Sequence, residues 1–300
     1  MKIRIFAAVL AMLLLLPLSA CGEEEGEPQD TKGSETVSDT ASDTESSAAE
    51  EGEEEPEGPS ATALEDFEYI TDSQGGITLT AVKDKEIVFC KIPAGVTAIG
   101  SATFLDCTQL EKIEIPTDVR SIGLGAFNGC DKLIETEGSV SYVGAWAIDC
   151  TEEVTKATLR NGTVGIADSV FAGCEKMTEV TIPGSVKYIG TYAFSRCKAL
   201  AAVTLPEGIS SIGEYTFFEC ASLKSVAIPV GVVSIKDYAL GNCKALKSIT
   251  LPASVTSIGE GAFYNCTALI SVSYGGDSAS WKKIELGTGN GALTGAYGND

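Results

Sequence analysis

Histidine is missing from all 300 residues of this chain. Histidine is the commonest general acid or base in catalysis and the commonest metal ligand, so its absence weighs against most hydrolytic and metal-dependent sites. The ten cysteines do not replace it, because no two of them have the Cys-x-x-Cys spacing that is typical of a zinc site. The sequence therefore predicts a protein with no catalytic residues, no metal site and no cofactor.

Basic residues are also scarce, with 21 Lys and Arg against 42 Asp and Glu. The acidity is uneven, because residues 22–60 carry 15 acidic side chains and a single Lys, a net charge of −14. Residues 61–300 keep a net charge of −9. A nucleic-acid-binding domain is expected to present a basic stripe, so no nucleic acid partner is predicted.

Long apolar runs are missing except for one near the amino terminus. Lys2 and Arg4 precede an apolar run over residues 5–16 that is too short to span a bilayer comfortably, and this pattern predicts an export signal. The segment ends in Leu-Ser-Ala-Cys, which resembles the lipobox of bacterial lipoproteins. The resemblance implies a lipoprotein signal peptide over residues 1–21 and acylation of Cys21. The lipid anchor alone would then hold the protein on the outer face of the bacterial cell membrane.

The next segment, residues 22–62, consists mainly of Glu, Ser, Thr, Asp, Gly and Pro, and Val37 is its one large aliphatic residue. Such a segment cannot bury enough apolar surface to offset the entropy lost on ordering. Repulsion between its like charges extends it further. The composition predicts a disordered acidic linker that spaces the folded part from the membrane.

The folded part is organised by a repeat of 23 residues, which is clearest from Ile182 to Cys266. The repeats share, at fixed offsets, an apolar residue followed by Pro, then Val or Ile, Ile-Gly (Ile-Lys at Lys236), Ala-Phe or a related pair, Cys and Leu. A period of about 20 to 29 residues with a Leu-x-x-Ile-x-Ile core indicates a leucine-rich solenoid. One step, from Gly123 to Gly144, is only 21 residues long, and we expect a loop to absorb this deletion.

A single repeat can be translated into local structure. A first strand buries one face, proline ends it because proline has no N–H to donate, a second short strand continues the core, and a helical or 3₁₀ turn completes the rung. Stacked strands about 4.8 Å apart would form parallel sheets. In one repeat the residues behind this prediction are Leu110, Ile113 and Ile115 on the first strand, Pro116 after it, Val119 and Ile122 on the second strand, and Ala126, Phe127 and Cys130 on the turn.

The consensus Leu-x-x-Ile-x-Ile-Pro-x-x-Val-x-x-Ile-Gly-x-x-Ala-Phe-x-x-Cys is similar to the BspA-type bacterial leucine-rich repeat over about residues 67–274. The resemblance implies a right-handed solenoid of short stacked parallel strands and short helical turns, a β-dominated α/β fold used for surface recognition and adhesion. We expect the repeats over residues 87–274, a β-hairpin cap over residues 63–86, and a C-terminal cap and tail over residues 275–300 that covers the other open end.

The cysteines follow the same period, which decides between a disulfide framework and a column of buried thiols. Side chains that point the same way from neighbouring rungs have poor geometry for a disulfide, and a free cysteine packs as a small hydrophobe. The oxidation states of Cys90 and Cys150, which fall outside the register, stay open. We therefore predict buried thiols in one column, at Cys107, Cys130, Cys174, Cys197, Cys220, Cys243 and Cys266.

Two columns of residues are candidate binding surfaces. Two places after the Ile-Gly position the sequence has Trp146, Tyr192, Tyr215 and Tyr238. On stacked rungs the tyrosines would form a continuous aromatic stripe, and aromatic residues are enriched at recognition hot spots. The alternative is that these rings only cover the edge of the solenoid by packing on each other.

The second candidate surface is the outward face of the first-strand sheet, with Thr181, Thr204 and Thr250 in one column. Solenoids commonly bind partners on such a sheet. The alternative is that threonine occupies these positions because small polar β-formers suit any solvated sheet face.

These observations predict a monomeric, lipid-anchored protein of the cell surface. It would bind a macromolecule without catalysis, either a protein of a host or neighbouring cell or a polysaccharide. The competing hypothesis is a polysaccharide-associated hydrolase or a transporter-associated binding lipoprotein, which would need a pocket with convergent polar groups. Ser195-x-x-Lys198 has the spacing of some acyl-transfer enzymes, but the companion motifs are absent, so we interpret it as chance.

Overall fold

The computed structural model describes residues 62–296. The predicted signal peptide, Cys21 and the acidic linker up to residue 61 lie outside this range. The strands are, in chain order, β1 (Phe67–Thr71), β2 (Ile77–Val82), β3 (Phe89–Lys91), β4 (Val96–Ile99), β5 (Lys112–Glu114), β6 (Ser121–Ile122), β7 (Glu135–Glu137), β8 (Val140–Val143), β9 (Trp146–Cys150), β10 (Lys156–Thr158), β11 (Gly165–Ile166), β12 (Glu179–Thr181), β13 (Tyr188–Ile189), β14 (Ala202–Thr204), β15 (Ser211–Ile212), β16 (Ser225–Ala227), β17 (Ser234–Ile235), β18 (Ser248–Leu251), β19 (Ser257–Ile258), β20 (Ser271–Tyr274) and β21 (Glu285–Leu286).

The predicted solenoid is confirmed, because strands 23 residues apart lie side by side in parallel. In the C-terminal half the first strands of the rungs form the sheet β14–β16–β18–β20, and the second strands form the sheet β15–β17–β19–β21. The pairing follows the repeat offset: Val203 faces Val226, and Ser234 faces Ser257. A shared offset of 23 residues places equivalent side chains over one another, so each sequence position becomes a column in the structure.

The core is built from these columns. Where adjacent rungs both carry phenylalanine in this column the rings stack, with ring centroids 5.3 Å apart for Phe104 and Phe127 and 5.1 Å apart for Phe171 and Phe194. All four are at most 2% exposed. Aromatic rings and branched aliphatic side chains at fixed offsets therefore form the buried interior.

The predicted column of buried thiols is also confirmed. All nine cysteines between residues 62 and 296 are free and buried, including Cys90 and Cys150. The thiols of Cys197, Cys220 and Cys243 donate hydrogen bonds to the carbonyl oxygens of Phe171, Phe194 and Phe217, over 3.2, 3.1 and 3.2 Å. Each thiol thus satisfies a backbone acceptor of the preceding rung, so cysteine serves both packing and rung-to-rung hydrogen bonding.

The glycine of Ile-Gly is explained by close approach of the backbone. A Cβ atom on Gly123 would lie 2.4 Å from the amide nitrogen of Ser101, and one on Gly259 would lie 2.6 Å from that of Asp237. Neither contact involves a flexible side-chain end that could move away. A side chain at Gly123 or Gly259 would therefore clash with the neighbouring rung, whereas the same column accommodates Ala167 and Lys236 on other rungs.

The predicted helical or 3₁₀ turn is instead a series of β-turns. Ala126 N–H donates to Gly123 O, Asn128 N–H to Gly125 O, and Cys130 N–H to Phe127 O, at 3.2, 3.0 and 3.0 Å. Gly125 and Gly129 have φ of 62° and 84°, and left-handed residues interrupt a right-handed helix. The helices of the described range are a 3₁₀ helix (Leu64–Asp66), α1 (Ser278–Trp281) and α2 (Gly291–Ala296), all too short to cross a membrane.

The short repeat after Gly123 departs from the solenoid, and the expectation that a loop absorbs its deletion was wrong. Strands β7, β8 and β9 form an antiparallel meander, and β9 then pairs in parallel with β11. In β7 the inward position that holds Ile113 or Val180 elsewhere holds Thr136, so this segment has no apolar face for a first strand. Asp168 N–H consequently bonds Ile122 O of an earlier rung, at 2.9 Å.

Arg160 fastens the meander to the rung that follows it. It stands where most repeats have proline after the first strand. Its guanidinium lies 4.2 Å from the ring centre of Tyr142, bonds the Glu135 carboxylate at 2.6 Å, and donates to the Gly144 carbonyl at 2.5 Å. One side chain therefore binds two strands and one turn of the meander, which explains why this repeat lacks the proline.

The two ends of the stack are closed differently. At the amino end β1 and β2 pair antiparallel, and β2 continues in parallel with β4. At the carboxyl end Tyr274 and Trp281 pack edge to face, with centroids 5.5 Å apart. The buried Asn290 side chain accepts from Phe263 N–H at 3.0 Å and donates to Gly259 O at 2.9 Å. These bonds supply partners for backbone groups that the next rung would otherwise bind.

Candidate functional site

The predicted aromatic stripe is present on one turn-bearing edge of the solenoid. Tyr192, Tyr215 and Tyr238, which we call the tyrosine ladder, stack face to face on three consecutive rungs. Ring centroids are 4.6 Å apart for Tyr192 and Tyr215 and 5.1 Å apart for Tyr215 and Tyr238, with interplanar angles of 11° and 9°. All three are half-buried. The tyrosines pack on each other, as the alternative interpretation predicts, and they also form a continuous, partly exposed ridge.

The backbone of the ladder is in an unfavourable conformation. Tyr192, Tyr215 and Tyr238 have φ of 57°, 52° and 52°, and a left-handed backbone costs a residue with a side chain about 1–2 kcal/mol. Glycine occupies the same position in two other rungs, as Gly125 and Gly261. Stacking returns about 0.5–1.5 kcal/mol per pair, which does no more than offset the cost. Bulky residues held in strained backbone cluster at functional sites, so the ladder is our candidate site.

The ring faces of the ladder are largely covered. Tyr215 lies between the other two rings, and Phe218 packs edge-on against it at 5.4 Å. Below Tyr238, a Cβ on Gly261 would lie 2.5 Å from Tyr238 Cε1, so this ring rests directly on the backbone. The ridge therefore presents ring edges and hydroxyl groups to a partner.

Carboxylates flank the ladder, and the sequence reasoning missed them. Each ladder position has an acidic residue 22 places later, on the following rung: Glu214, Asp237 and Glu260. Tyr238 Oη donates to Glu260 Oε1 at 3.2 Å. The acidic residue directly before each of Tyr215 and Tyr238 is the signal that could have revealed this column.

The phenols of the ladder are neutral donors at physiological pH. Burial raises the pKa of Tyr215 to about 12, and the neighbouring tyrosines and carboxylates add to the effect. Burial, followed by the charge of Glu214, raises the pKa of Tyr192. A row of neutral hydroxyls beside carboxyl groups can donate and accept hydrogen bonds along the same line.

Trp146 does not belong to the ladder, which corrects its predicted position. It is 4% exposed and stacks on Tyr188, with centroids 5.9 Å apart and planes 3° apart. Its ring lies over Gly165, where a Cβ would approach it to 2.2 Å. The meander moves Trp146 into the second-strand sheet, so the sequence offset that aligned it with the tyrosines does not hold in this repeat.

The predicted threonines lie where expected, on the outward side of the first-strand sheet. Thr181, Thr204 and Thr250 are all exposed. Thr181 pairs with Thr158 on the neighbouring strand, while Ala227 lies between Thr204 and Thr250. Small polar side chains at these positions suit solvated β-strands in general. Their role in binding stays a prediction.

Two features of residues 62–296 bear on the competing enzyme hypothesis, namely Ser195 and an open groove. Ser195 is buried and its hydroxyl contacts the Phe218 carbonyl at 3.3 Å, so it takes part in rung stacking. An open groove of about 540 Å³ near the carboxyl end is lined by Lys236, Asp237 and Glu285 among others. These three side chains are exposed. Within residues 62–296, no cluster of three or more potential metal ligands occurs.

The strain at the ladder position can be tested where no tyrosine is involved. Ala102 occupies the same column with φ of 56°. We expect Ala102→Gly to raise the free energy of unfolding by about 0.5–1 kcal/mol, because glycine adopts this backbone without the Cβ clash. The control Ala126→Gly, at a buried position without positive φ, should lower it. Urea unfolding measures both, and a lower free energy of unfolding for both variants would contradict the argument.

Comparison with known proteins gives the family. The sequence profile described as BspA type leucine rich repeat region (6 copies) matches residues 77–201 and 164–284. No curated protein sequence matches the chain. Among solved structures, the chain is similar to a leucine-rich repeat protein of T. pallidum, with 28% identity, coverage of 70% of this chain and 91% of that one, and a TM-score of 0.37.

Two further structures are more distant in sequence. A leucine-rich repeat protein from Bacteroides ovatus is 24% identical, covering 76% of this chain and 67% of that one, with a TM-score of 0.37. A leucine-rich cell surface protein from Faecalibacterium prausnitzii is 23% identical, covering 76% and 98%, with a TM-score of 0.27. The family profile spans well over half of the sequence and matches the rungs described above. The chain belongs to the BspA-type leucine-rich repeat family.

Proposed function

We propose that this protein is a monomeric, non-catalytic recognition or adhesion protein of the bacterial cell surface, held there by acyl chains on Cys21. The observation that carries the recognition role is the tyrosine ladder, where three bulky residues occupy strained backbone. The export signal, the Cys at its end and the acidic linker support the location. Membership of a leucine-rich repeat family supports binding as the activity, because solenoids present extended binding surfaces.

The geometry of the ladder favours a protein as its partner over a neutral sugar. A sugar ring stacks on an open aromatic face, whereas the faces of Tyr215 and Tyr238 are covered. Ring edges, hydroxyls and neighbouring carboxylates suit hydrogen bonding and edge contacts with side chains. Tyrosine contributes large contact area at low conformational cost and is enriched at hot spots of protein interfaces.

The test is binding of the full chain, purified in a nonionic detergent, to an array of purified secreted proteins and glycans. We expect Tyr215→Ala with Tyr238→Ala to weaken binding to a captured protein about thirtyfold, since a hot spot contributes about 2 kcal/mol. Tyr215→Phe with Tyr238→Phe keeps the stacking and should lose less.

The matched control is Tyr69→Ala, which removes a tyrosine that is 47% exposed on β1, away from the ladder. Its binding should equal that of the unaltered chain. Circular dichroism establishes that each variant remains folded. Unchanged affinity of a folded ladder variant for every captured protein would remove the ladder as the binding site.

A further inference from the structure

Three lysines lie on two adjacent C-terminal rungs, and none of them forms an ion pair with an acidic residue of the described range. Lys224 and Lys247 directly precede the strands β16 and β18, Lys244 directly follows Cys243, and all three are exposed. We call them the lysine edge. Lys247 N–H donates to Lys224 O at 3.3 Å, so these two residues occupy the same column on adjacent rungs. None of the ion pairs between residues 62 and 296 includes a member of the lysine edge.

Lysines on earlier rungs are arranged differently. Lys132 lies 3.0 Å from Glu111, Lys156 lies 2.8 Å from Glu179, and Lys198 lies 2.6 Å from Glu175. In each pair the acidic residue is on a neighbouring rung. Ion pairs between neighbouring rungs therefore continue as far as Glu219, and among residues 62–296 none of them lies beyond it.

Like charges on adjacent rungs cost stability. Side chains of the same sign that lie opposite each other on neighbouring strands repel, and Lys224 and Lys247 occupy equivalent positions directly before the neighbouring strands β16 and β18. The cost falls if an anion lies between them. In a folded part with a net charge of −9, unpaired lysines gathered on one edge are a local feature and do not follow from the general composition.

The sheet face next to the lysine edge is uncharged. The outward positions of β14, β16, β18 and β20 hold only Ala, Ser and Thr, whereas the same positions of earlier first strands include Lys112, Glu114, Lys156 and Glu179. The outward sheet face thus carries no charged side chains on the same rungs where the lysines form no ion pairs. The outward residues of this hydroxyl face are Ala202, Thr204, Ser225, Ala227, Ser248, Thr250, Ser271 and Ser273.

We propose that the lysine edge and the hydroxyl face together bind an anionic polysaccharide that runs along the stack, across successive rungs. Its sulfate or carboxylate groups would accept hydrogen bonds from the lysines, and its hydroxyl groups would bond the serine and threonine side chains. This inference goes beyond the proposed function, because it assigns a second surface and a different class of ligand.

The side chains of this surface favour a polysaccharide over other polyanions. Proteins that bind single-stranded nucleic acids stack the bases on aromatic side chains, and no member of the lysine edge or the hydroxyl face is aromatic. An acidic protein partner would need buried anchors of the Trp, Tyr or Arg kind, and a face of Ala, Ser and Thr offers no pocket for them. A sugar polymer needs neither feature.

The experiment measures binding of the full chain in nonionic detergent to heparin, a sulfated polysaccharide, and to alginate, a carboxylated one, at 50 and 200 mM salt. The test variant combines Lys224→Gln, Lys244→Gln and Lys247→Gln. The control variant combines Lys132→Gln, Lys156→Gln and Lys198→Gln, which changes the net charge equally at paired positions. We expect the test variant to lower the salt slope of binding by about 2 to 3 and the control variant to leave it unchanged.

Several results would overturn the proposal. They are failure of the unaltered chain to bind either polysaccharide, equal losses in the two triple variants, or equal affinity for poly-glutamate or oligo-deoxythymidine of matched charge. Binding to heparin or alginate that is insensitive to Tyr215→Ala and Tyr238→Ala supports the proposal, because it separates this surface from the tyrosine ladder. A negative result for polysaccharide binding therefore does not contradict protein binding by the tyrosine ladder, and a negative result for protein binding does not contradict polysaccharide binding.

Discussion

Replacement of Phe217 by alanine is expected to lower the free energy of unfolding by about 3–5 kcal/mol, the usual cost of removing a fully buried phenylalanine. Phe217 is 0% exposed and stacks on Phe194, with centroids 5.4 Å apart. Its carbonyl also accepts the Cys243 thiol at 3.2 Å, so a cavity here loosens the contact with the next rung as well. Whole domains are stable by about 5–15 kcal/mol, so this single change removes a large part of the total.

The position of Phe217 in the stack leads to a second expectation, about the cooperativity of unfolding. Each rung of a solenoid contacts only its neighbours, and Phe217 lies in the middle of the regular rungs. Weakening one interface should uncouple the two halves, so urea unfolding followed by circular dichroism should lose its single sharp transition. The first midpoint should fall by about 1–2 M urea.

The neighbouring residue provides the control. Phe218 has the same side chain but is half-exposed and packs edge-on against Tyr215. We expect Phe218→Ala to cost about 1 kcal/mol, because less area is lost and no enclosed cavity forms. Equal losses for the two variants would show that the phenylalanine column does not hold the rungs together.

The columns could be predicted from the sequence because the 23-residue period fixes the register between neighbouring rungs. Once Val203 and Val226 pair, every residue 23 places apart must lie on the same line, and the stacking of Tyr192 on Tyr215 follows. The same reasoning placed the thiols of Cys197 and Cys220 in the core. Periodicity fixes which residues meet, even though it carries no information about backbone conformation within a rung.

The backbone conformation within a rung could not be predicted from the sequence. The left-handed backbone at Tyr192 and Tyr215 is set by how the turns close against the next rung, since tyrosine itself disfavours it. A pattern of Ala-Phe-x-x-Cys also fits a helical turn equally well, which led to the wrong turn type. The strain that marks the candidate site is therefore visible only in three dimensions.

The prediction that a loop absorbs the two-residue deletion in the short repeat was wrong for a different reason. A deletion of two residues looked small enough for a loop, but the repeat had also lost the inward apolar residue at Thr136. Without that side chain a first strand gains nothing by burial, and the segment paired with itself as β7 and β8. Trp146 was misplaced as a consequence, because its column was counted from Gly144, a turn residue with φ of 53°.

Four buried thiols of the core, Cys90, Cys130, Cys243 and Cys266, are expected to make the fold sensitive to alkali. Burial raises the pKa of Cys90 to about 11 and those of Cys130 and Cys266 to about 12, and burial also raises the pKa of Cys243. An unfolded thiol loses its proton near pH 8.5. Between that pH and the folded pKa, the unfolded chain binds fewer protons than the folded chain, so stability falls as the pH rises. Below about pH 8 the thiols of both states are protonated and the term is constant.

The expected loss is large because the effect is repeated along the column. Each thiol contributes about 1.4 kcal/mol per pH unit once the unfolded state is ionised, so four such thiols contribute on the order of 5 kcal/mol per pH unit. We expect the full chain to be stable at pH 8 and to unfold between about pH 10 and 11. Urea midpoints measured at half-unit steps of pH give the slope directly.

One substitution separates the thiols from other alkaline effects. Cys243→Ala removes a buried thiol and its hydrogen bond to Phe217 O, which costs stability at every pH. That constant loss does not affect the slope of the free energy of unfolding against pH. In Cys243→Ala this slope should be shallower than in the unaltered chain by about 1.4 kcal/mol per pH unit. Titration of lysines and tyrosines is common to both chains and cancels in the comparison. Parallel slopes for the two chains would mean that the thiol column is not what alkali attacks.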